Sequence, residues 1–267
     1  MPHKILTIAG SDTLAGGGLQ ADLATFSDYG YFGLSVTTSI VTVTPEAFQI
    51  FPMTTAVIAA QLESALALDD IVAIKVGLLP TPEIIRLVAQ YLRTVKVPVI
   101  VDPVMVFKET TQVETKDVVA CLIEQLLPLA TVVTPNLREA EILADQAIRT
   151  RNDMVRAAQK IVAQGAQAVL LKGGTLLAGD EAVDVLYADQ TATFLTQAKI
   201  PAAKMSHNGA GCTLSASLAA NLGRSVDILA AAQDAKEFVW YGIKYGVDLN
   251  QAFDVGNVWQ GARRAEK

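Results

Sequence analysis

The chain has 267 residues, of which 51% are hydrophobic and 18% charged, and its formal net charge is −6 at pH 7. This composition is typical of a globular protein, and the acidic balance argues against nucleic acid as the main partner. Cys121 and Cys212 are too few for a disulfide framework or a metal–thiolate cluster. Since neither a signal peptide nor an uncharged apolar run of membrane-spanning length is evident, we expect a cytoplasmic protein without a membrane partner.

Short apolar runs alternate with longer helical patterns along the chain. The predicted strands are Ile5–Ala9, Leu34–Val43, Ile71–Val76, Val97–Val101, Thr131–Thr134 and Ala168–Lys172, followed by a hairpin of Asp184–Tyr187 and Ala192–Leu195. Apolar residues at helical spacing lie between the strands, and a long helix from Val226 to about Tyr245 follows them. The alternation predicts one α/β domain over residues 1–267, with a mostly parallel sheet covered by helices on both faces.

Polar or glycine-rich segments follow most of the predicted strands. They comprise residues 10–18, 75–77, 102–103, 134–139 and 172–174. Ligands of open α/β sheets bind at the carboxyl ends of the strands, so we expect these segments to share one rim. Each also has a plain structural interpretation: the glycines can be simple turns, and Asn136 and Glu139 have the spacing of a helix capping box. Together they favour a ligand site.

A second glycine turn, Gly209-Ala210-Gly211-Cys212-Thr213, precedes a stretch with leucines at helical spacing. A helix that opens at such a turn directs backbone N–H groups and the positive end of its dipole at one point. Phosphate binds readily there, and a cysteine in the turn is expected to have its thiolate form favoured. The turn alone is also compatible with an ordinary helix start.

The polar residues together suit phosphoryl transfer, which needs cations, magnesium ligands and a site for the transferred group. Lys172 and the amides of the second glycine turn can hold phosphate, Asp102 and Glu139 can hold magnesium, and the loop containing Asp12 can hold a polar acceptor. The chain has neither a G-x-x-x-x-G-K-[ST] loop nor a clean G-x-G-x-x-G motif. It is therefore predicted to be neither a P-loop enzyme nor a dinucleotide dehydrogenase.

Five collinear motifs resemble those of the hydroxymethylpyrimidine kinase and pyridoxal kinase group of the ribokinase-like superfamily. They are residues 8–22 (IAGSDTLAGGGLQAD), 101–105 (VDPVM), 134–139 (TPNLRE), 171–174 (LKGG) and 209–213 (GAGCT). The resemblance implies a three-layer ribokinase-like fold, usually a homodimer, that uses ATP and Mg²⁺. It also implies phosphorylation of the hydroxymethyl group on a small heteroaromatic ring.

The resemblance further assigns site residues. The acceptor ring would meet Asp12, Gly17, Gly18, Val43, Val106 and Phe107; ATP would meet Asn136, Lys172, Gly173, Thr213 and Lys236; the metal would meet Asp102 and Glu139; and Cys212, Gly209 and Gly211 would form the catalytic turn. Cys212 stands where many ribokinase-like enzymes have an aspartate base, and it would act either as a base or as an orienting group.

The residues at the acceptor site distinguish two substrates. Val43 stands where hydroxymethylpyrimidine kinases carry a glutamine that contacts the pyrimidine, and Thr42-Val-Thr-Pro45 resembles the pyridoxal kinases of Gram-positive bacteria. The sequence therefore favours pyridoxal, pyridoxine and pyridoxamine, with hydroxymethylpyrimidine or its phosphate as the alternative, alone or as a dual activity. A sugar kinase or a non-catalytic binder agrees less well with the motifs. Two departures are Phe107, where the related pyridoxal kinases have a second cysteine, and Asn208, which replaces a histidine.

Overall fold

The computed structural model describes residues 1–105, 112–175, 177, 179–201, 206–250 and 256–265. These residues form one nine-stranded sheet in the order β3-β2-β1-β4-β5-β6-β7-β8-β9. The strands are β1 Lys4–Asp12, β2 Phe32–Val43, β3 Phe48–Pro52, β4 Ile71–Val76, β5 Val99–Val101, β6 Val132–Val133, β7 Ala168–Lys172, β8 Glu181–Ala188 and β9 Thr191–Ala198. The six strands from β2 to β7 in that order are parallel, whereas β3, β8 and β9 are antiparallel additions at the two edges.

Helices cover both faces of the sheet. They are α1 Gly18–Asp28, α2 Thr55–Leu66, α3 Pro82–Leu92, α4 Gln112–Cys121, α5 Leu137–Ala144, α6 Arg151–Ala163, α7 Ala210–Leu222, α8 Ile228–Lys244 and α9 Ala262–Ala265. After α4 the chain continues through a π-helical turn, Leu122–Leu126, and a 3-10 turn, Leu127–Leu129. One core lies between the sheet and α2, α3, α5 and α6, and a second lies between the sheet and α1, α7 and α8. The predicted three-layer α/β architecture is confirmed.

Helix α3 shows how the sequence specifies these elements locally. The hydroxyl of Thr81 accepts a hydrogen bond from the N–H of Ile84, and Pro82 occupies the first turn, where its missing N–H is not needed. The predicted stripe of Ile84, Ile85, Val88 and Leu92 is buried against the sheet. Burial of both faces likewise explains why β5 is entirely apolar.

The edge strand β3 was not predicted from the sequence. It pairs antiparallel with the second half of β2, from Ser39 opposite Pro52 to Val43 opposite Phe48. The two strands are joined by a turn in which the N–H of Thr44 donates to the carbonyl of Ala47. Because β3 is short and exposed on one side, its residues lack the continuous apolar pattern of the central strands. Within the described ranges, no helix has the length and apolar character needed to cross a membrane.

The strand order places a crevice at the centre of the sheet. From β1 the chain moves outward to β2 in one direction, whereas β4 lies on the other side of β1. The crevice at such a switch point is where open α/β sheets bind their ligands. Helix α7 packs against β4 and β5 and begins at Ala210, so its amino end reaches this crevice.

Candidate active site

A cavity of about 620 Å³ opens at the carboxyl ends of the central strands. It brings together most of the predicted site residues: Asp12, Gly17, Gly18, Val43, Asp102, Asn136, Glu139, Lys172, Gly209, Gly211 and Cys212. Residues 106 and 107, predicted to contact the acceptor, lie outside the described residues. Gly173, Thr213 and Lys236 are not among the residues that line the cavity.

The loop between β1 and α1 is folded around the carboxylate of Asp12. One carboxylate oxygen accepts a hydrogen bond from the N–H of Leu14 and the other from the N–H of Gly17, each at 2.9 Å. Gly17 is the N-cap of α1 and has no side chain of its own to cap the helix. Asp12 therefore shapes the loop that was predicted to hold the acceptor, besides lining the cavity itself.

The two glycine turns pack directly against each other. Gly209 has φ = 83°, and a Cβ at this position would lie 1.6 Å from the carbonyl oxygen of Gly16. The N–H of Gly18 donates to the sulfur of Cys212 at 3.3 Å. Only glycine permits this approach at position 209, because any side chain would collide with the neighbouring backbone. The loop of residues 12–18, called the acceptor loop after its predicted ligand, and the amino end of α7 thus form one continuous wall.

The predicted preference of Cys212 for its thiolate form is wrong in this structure. Burial raises the pKa of the Cys212 thiol to about 11, although the charge of Lys75 and the N–H of Gly18 act in the opposite direction. The loss of water around the sulfur disfavours the charged form and outweighs the stabilisation that a helix N-terminus supplies. The thiol is therefore protonated at neutral pH.

Asp102 and Lys172 form a salt bridge inside the cavity. Nζ of Lys172 lies 2.8 Å from Oδ1 of Asp102, and the Thr134 hydroxyl donates to the same oxygen at 3.1 Å. Ser215 of α7 donates to the other oxygen at 3.4 Å. Burial favours a neutral Asp102, but the charges of Lys172 and Lys75 outweigh this effect and lower the pKa of Asp102. Both members of the salt bridge are charged at neutral pH.

Glu139 forms the capping box considered from the sequence, and its role as a metal ligand stays a prediction. Its carboxylate accepts the N–H of Asn136 at 2.8 Å while Asn136 accepts the N–H of Glu139 at 2.9 Å, which completes a capping box at the start of α5. Glu139 also lines the cavity. Burial raises its pKa to about 7, because the nearby charge of Lys172 only partly offsets the lost hydration and Asp102 adds repulsion.

Gly173 and Lys236, both assigned to ATP, are connected through Asp184 of β8. One oxygen of Asp184 accepts the N–H of Gly173 at 2.9 Å, and the other lies 2.7 Å from Nζ of Lys236. Thr213 is fully buried, and its hydroxyl accepts a hydrogen bond from Gln260 at 3.0 Å. These three positions support the rim beside the cavity, and their contact with ATP stays a prediction.

Lys75 is not on the rim, contrary to the expectation for a polar residue at a strand end. It is fully buried, and its Nζ lies 2.8 Å from Oδ2 of Asp22, which also accepts the hydroxyl of Thr7 at 2.6 Å. Burial alone would lower the pKa of Lys75, but the charge of Asp22, its hydrogen bond to Lys75 and the charge of Asp102 act together to outweigh burial and raise the pKa. The pair lies beneath the cavity between β4 and α1. Asp22 lies within the first motif, which was the available signal for it.

Several residues that line the cavity lie outside the five motifs, and two of them show why. Phe48 of β3 and Asn257, near the end of the chain, both line the cavity. Phe48 lies opposite Val43 in the register of β2 and β3, so finding it requires the strand pairing. Asn257 reaches the acceptor loop from 243 residues away, with its Nδ2 2.8 Å from the carbonyl oxygen of Leu14. Neither relationship can be recognised from local sequence.

The cavity has a donor set that suits the magnesium ion implied by the resemblance. Asp102 and Glu139 offer carboxylate oxygens, which are the ligands that Mg²⁺ prefers. The pKa of about 7 at Glu139 marks a buried carboxylate with too little positive charge nearby, and a divalent cation would supply that charge. Among the residues that the structure describes, three or more His, Cys, Asp or Glu do not cluster as metal ligands. Water and phosphate oxygens would complete the shell.

Comparison with known proteins identifies the family. Residues 12–257 match the family described as phosphomethylpyrimidine kinase, and the chain belongs to this family. It is 42% identical to the pyridoxine kinase of Bacillus subtilis over 254 residues, which is 93% of each chain. The enzyme class is therefore a kinase, and the ribokinase-like fold predicted from the motifs is confirmed.

Two further comparisons bear on the substrate. A hydroxymethylpyrimidine/phosphomethylpyrimidine kinase of Rhizobium meliloti is 40% identical over 236 residues, covering 88% of each chain. The solved structure of Staphylococcus aureus pyridoxal kinase in complex with AMP-PCP and pyridoxal superposes with a TM-score of 0.90 at 38% identity, covering 98% of this chain and 95% of the other. This chain is thus similar over most of its length to kinases of pyridoxine or pyridoxal and also to a kinase of hydroxymethylpyrimidine.

Proposed function

We propose that this kinase transfers the γ-phosphate of ATP to the 5′-hydroxymethyl group of pyridoxal, pyridoxine and pyridoxamine, in vitamin B6 salvage. Val43 on the cavity wall is the observation that carries the substrate class. An apolar side chain cannot form the hydrogen bonds that a glutamine at this position would offer to a pyrimidine. The similarity to a pyridoxine kinase and to a pyridoxal kinase with bound pyridoxal supports the same choice.

Cys212 is proposed to orient the acceptor hydroxyl beside the loop of residues 12–18. With a pKa of about 11, its thiol keeps its proton at neutral pH and is a poor general base, so orientation is the role we favour. The amides of the turn that contains Gly209 and Gly211 would stabilise charge on the phosphoryl group during transfer. Preorganised donors of this kind supply a large share of the catalysis of phosphoryl transfer.

The opposite side of the cavity is proposed to bind MgATP. Lys172 would contact phosphate oxygens, and Asn136 would approach the phosphates from the start of α5. Asp102 and Glu139 would hold Mg²⁺, which supplies charge neutralisation and alignment of the phosphates when bound. Gly173, Thr213 and Lys236 would complete the nucleotide side. Asp102→Asn and Glu139→Gln are expected to raise the Mg²⁺ concentration required for half-maximal activity.

We also propose that the protein works as a cytoplasmic homodimer. Ile40 and Phe51 are paired across β2 and β3 on the face that points away from the cavity, and they are 43% and 51% exposed. A second copy that covered this apolar pair would bury it. Both cysteines are free thiols, which is typical of a reducing compartment. Light scattering should give twice the chain mass for the wild type and a lower mass for Phe51→Glu.

A coupled assay of ADP release tests the proposed reaction. Pyridoxal, pyridoxine, pyridoxamine, hydroxymethylpyrimidine and its phosphate are offered separately with MgATP. The proposal expects turnover of the B6 vitamers, and turnover of hydroxymethylpyrimidine in addition would establish a dual activity. Turnover of the pyrimidine alone would overturn it in favour of thiamine biosynthesis, and no ADP release with any acceptor would indicate a binding protein.

The variant Val43→Gln tests the role of position 43. A single net hydrogen bond is worth about 1 kcal/mol, so the ratio of kcat/KM for hydroxymethylpyrimidine over pyridoxal should rise about fivefold. Val41→Gln is the matched control, because Val41 also lines the cavity from β2 and no role in substrate choice is proposed for it. An unchanged ratio in Val43→Gln would remove Val43 as the determinant of the substrate.

A further inference from the structure

A segment near the end of the described chain passes between three parts of the molecule. The N–H and carbonyl of Asn257 each pair with Val247 at 2.8 Å, just after α8. Its neighbours pair with Asn208, before the second glycine turn: Asn208 donates to Gly256 at 3.2 Å and accepts from Val258 at 3.0 Å. The backbone of Asn257 is therefore fixed on two sides. This leaves its side chain directed at the acceptor loop.

The side chain of Asn257 contacts that loop at two points. Nδ2 donates to the carbonyl oxygen of Leu14 at 2.8 Å. A Cβ placed on Gly16 would lie 2.9 Å from Oδ1 of Asn257, so the amide packs directly on the glycine. Asn257 is only 7% exposed, and it lines the cavity together with Leu14 and Gly16. A buried amide in this position leaves the loop little freedom to move outward.

Hydrogen bonds of different origin hold the loop of residues 12–18, among them those from Thr13 to the carbonyl of Val41 and from the N–H of Gly18 to the sulfur of Cys212. Asp12 holds the N–H groups of Leu14 and Gly17 from within the loop. Ala15 between them has φ = 55°, a left-handed conformation that costs free energy in an alanine. The bonds to Asp12 orient N–H groups, whereas the carbonyl of Leu14, beside the strained Ala15, is held by Asn257. Without the bond from Asn257 this part of the turn can relax.

We propose that Asn257 is a positioning residue for the acceptor: its amide fixes the loop of residues 12–18 at the distance from Cys212 that the acceptor ring requires. This inference rests on the proposed function, since it concerns the same kinase reaction. Asn257 acts through the loop and lies on the acceptor side of the cavity, away from Lys172 and Glu139. Its loss should therefore affect the acceptor and leave nucleotide binding unchanged.

Steady-state kinetics of Asn257→Ala and Asn257→Asp, each with pyridoxal and ATP varied in turn, test this inference. Both variants lack the Nδ2 donor, and the aspartate keeps the size of the side chain. Small displacements of a substrate-positioning group cost about tenfold to a hundredfold, so kcat/KM for pyridoxal should fall by at least tenfold. KM for ATP should stay within twofold of the wild type. Asn257→Asp supplies the result if Asn257→Ala does not fold.

Gln61→Ala is the matched control. The amide of Gln61 also binds backbone groups, donating to the carbonyl of Thr37 at 3.1 Å and accepting its N–H at 2.8 Å, but on α2 and away from the cavity. This variant should lose stability without an acceptor-specific change in KM. Equal changes in both KM values, or none, in Asn257→Asp would overturn the inference. If the wild type phosphorylates only hydroxymethylpyrimidine, the proposed substrate fails, and the same comparison is made with that acceptor.

Discussion

Lys172, the last residue of β7, and Asp102, which follows β5, are salt-bridged at 2.8 Å, although the strand β6 lies between β5 and β7. The sequence predicted one for phosphate and the other for magnesium, and the structure adds that each compensates the charge of the other. Their side chains are 13% and 2% exposed. The two groups for which binding roles are proposed therefore also compensate each other's charge inside the fold.

Replacing Lys172 with methionine should destabilise the fold as well as abolish activity. The substitution leaves Asp102 as an uncompensated buried charge, which typically costs about 3–5 kcal/mol. Urea denaturation measures this loss. The double variant Asp102→Asn/Lys172→Met should recover most of the stability but none of the kinase activity. Wild-type stability in Lys172→Met would show that Asp102 is not a buried charge in solution.

Gly209→Ala should abolish kinase activity because its Cβ would lie 1.6 Å from the carbonyl oxygen of Gly16. The control variant Gly174→Ala shows how much free energy the left-handed backbone conformation alone costs, without the steric clash. Gly174 also has a positive φ, 55°, but a Cβ there would have no heavy atom within 4 Å. The control should lose only about 1–2 kcal/mol. The melting temperature and the rate of ADP release are measured for both variants. If both variants lose the same stability and activity, the contact between the two glycine turns is dispensable.

Alkylation of Cys212 by iodoacetamide should be slow at pH 7 and increase up to about pH 11. Only the thiolate reacts, and burial raises the pKa of Cys212 to about 11, above the usual value of about 8.5 for a free cysteine. Mass spectrometry after timed labelling gives the rate at each pH. The variant Cys212→Ala retains the buried Cys121, so its labelling gives the background rate of alkylation. A midpoint below pH 8 would restore the thiolate predicted from the sequence.

Glu139→Gln should change the pH dependence of stability in metal-free buffer. Burial raises the pKa of Glu139 to about 7, so the native state binds a proton that the unfolded chain has released above about pH 4.3. The stability of the wild type should therefore fall between about pH 4.3 and pH 7. Glutamine keeps the capping box but does not titrate. Since one pKa unit is worth about 1.4 kcal/mol, the variant should gain about 3 kcal/mol relative to the wild type between pH 4 and pH 8.

Denaturant titrations of both proteins at several pH values, with EDTA present, measure this difference. A parallel pH dependence in the wild type and in Glu139→Gln would mean that Glu139 titrates at an ordinary pKa. Asn136→Ala is a useful companion, because it removes the other half of the capping box and leaves the carboxyl group in place. Its loss of stability should therefore be independent of pH over the same range.

The sequence was sufficient to predict the rim of the sheet. Asp102, Asn136 and Lys172 each follow an apolar strand, and the carboxyl ends of parallel strands necessarily meet at one edge. Helical spacing also predicted the stripe of α3 correctly. These features depend on local periodicity and on chain direction, both of which are written in contiguous residues.

Features that depend on distances between separate segments could not be predicted. The position of Lys75 beneath the rim depends on which face of the sheet its side chain occupies and on the ion pair with Asp22 of α1. The protonated state of Cys212 depends on how completely the surrounding groups exclude water, and the motif alone indicated the reverse. The strand β3 was missed because an edge strand is held by its backbone pairing with the neighbouring strand β2 and does not require an apolar pattern of its own.

The cavity combines residues that are far apart in the sequence. Leu14 follows the first strand, and its partner Asn257 is made 243 residues later. During synthesis the amino-terminal strands can pair long before Asn257 leaves the ribosome. The site is therefore completed only once Asn257 has been made, and a chain terminated before that residue would lack the contact to Leu14.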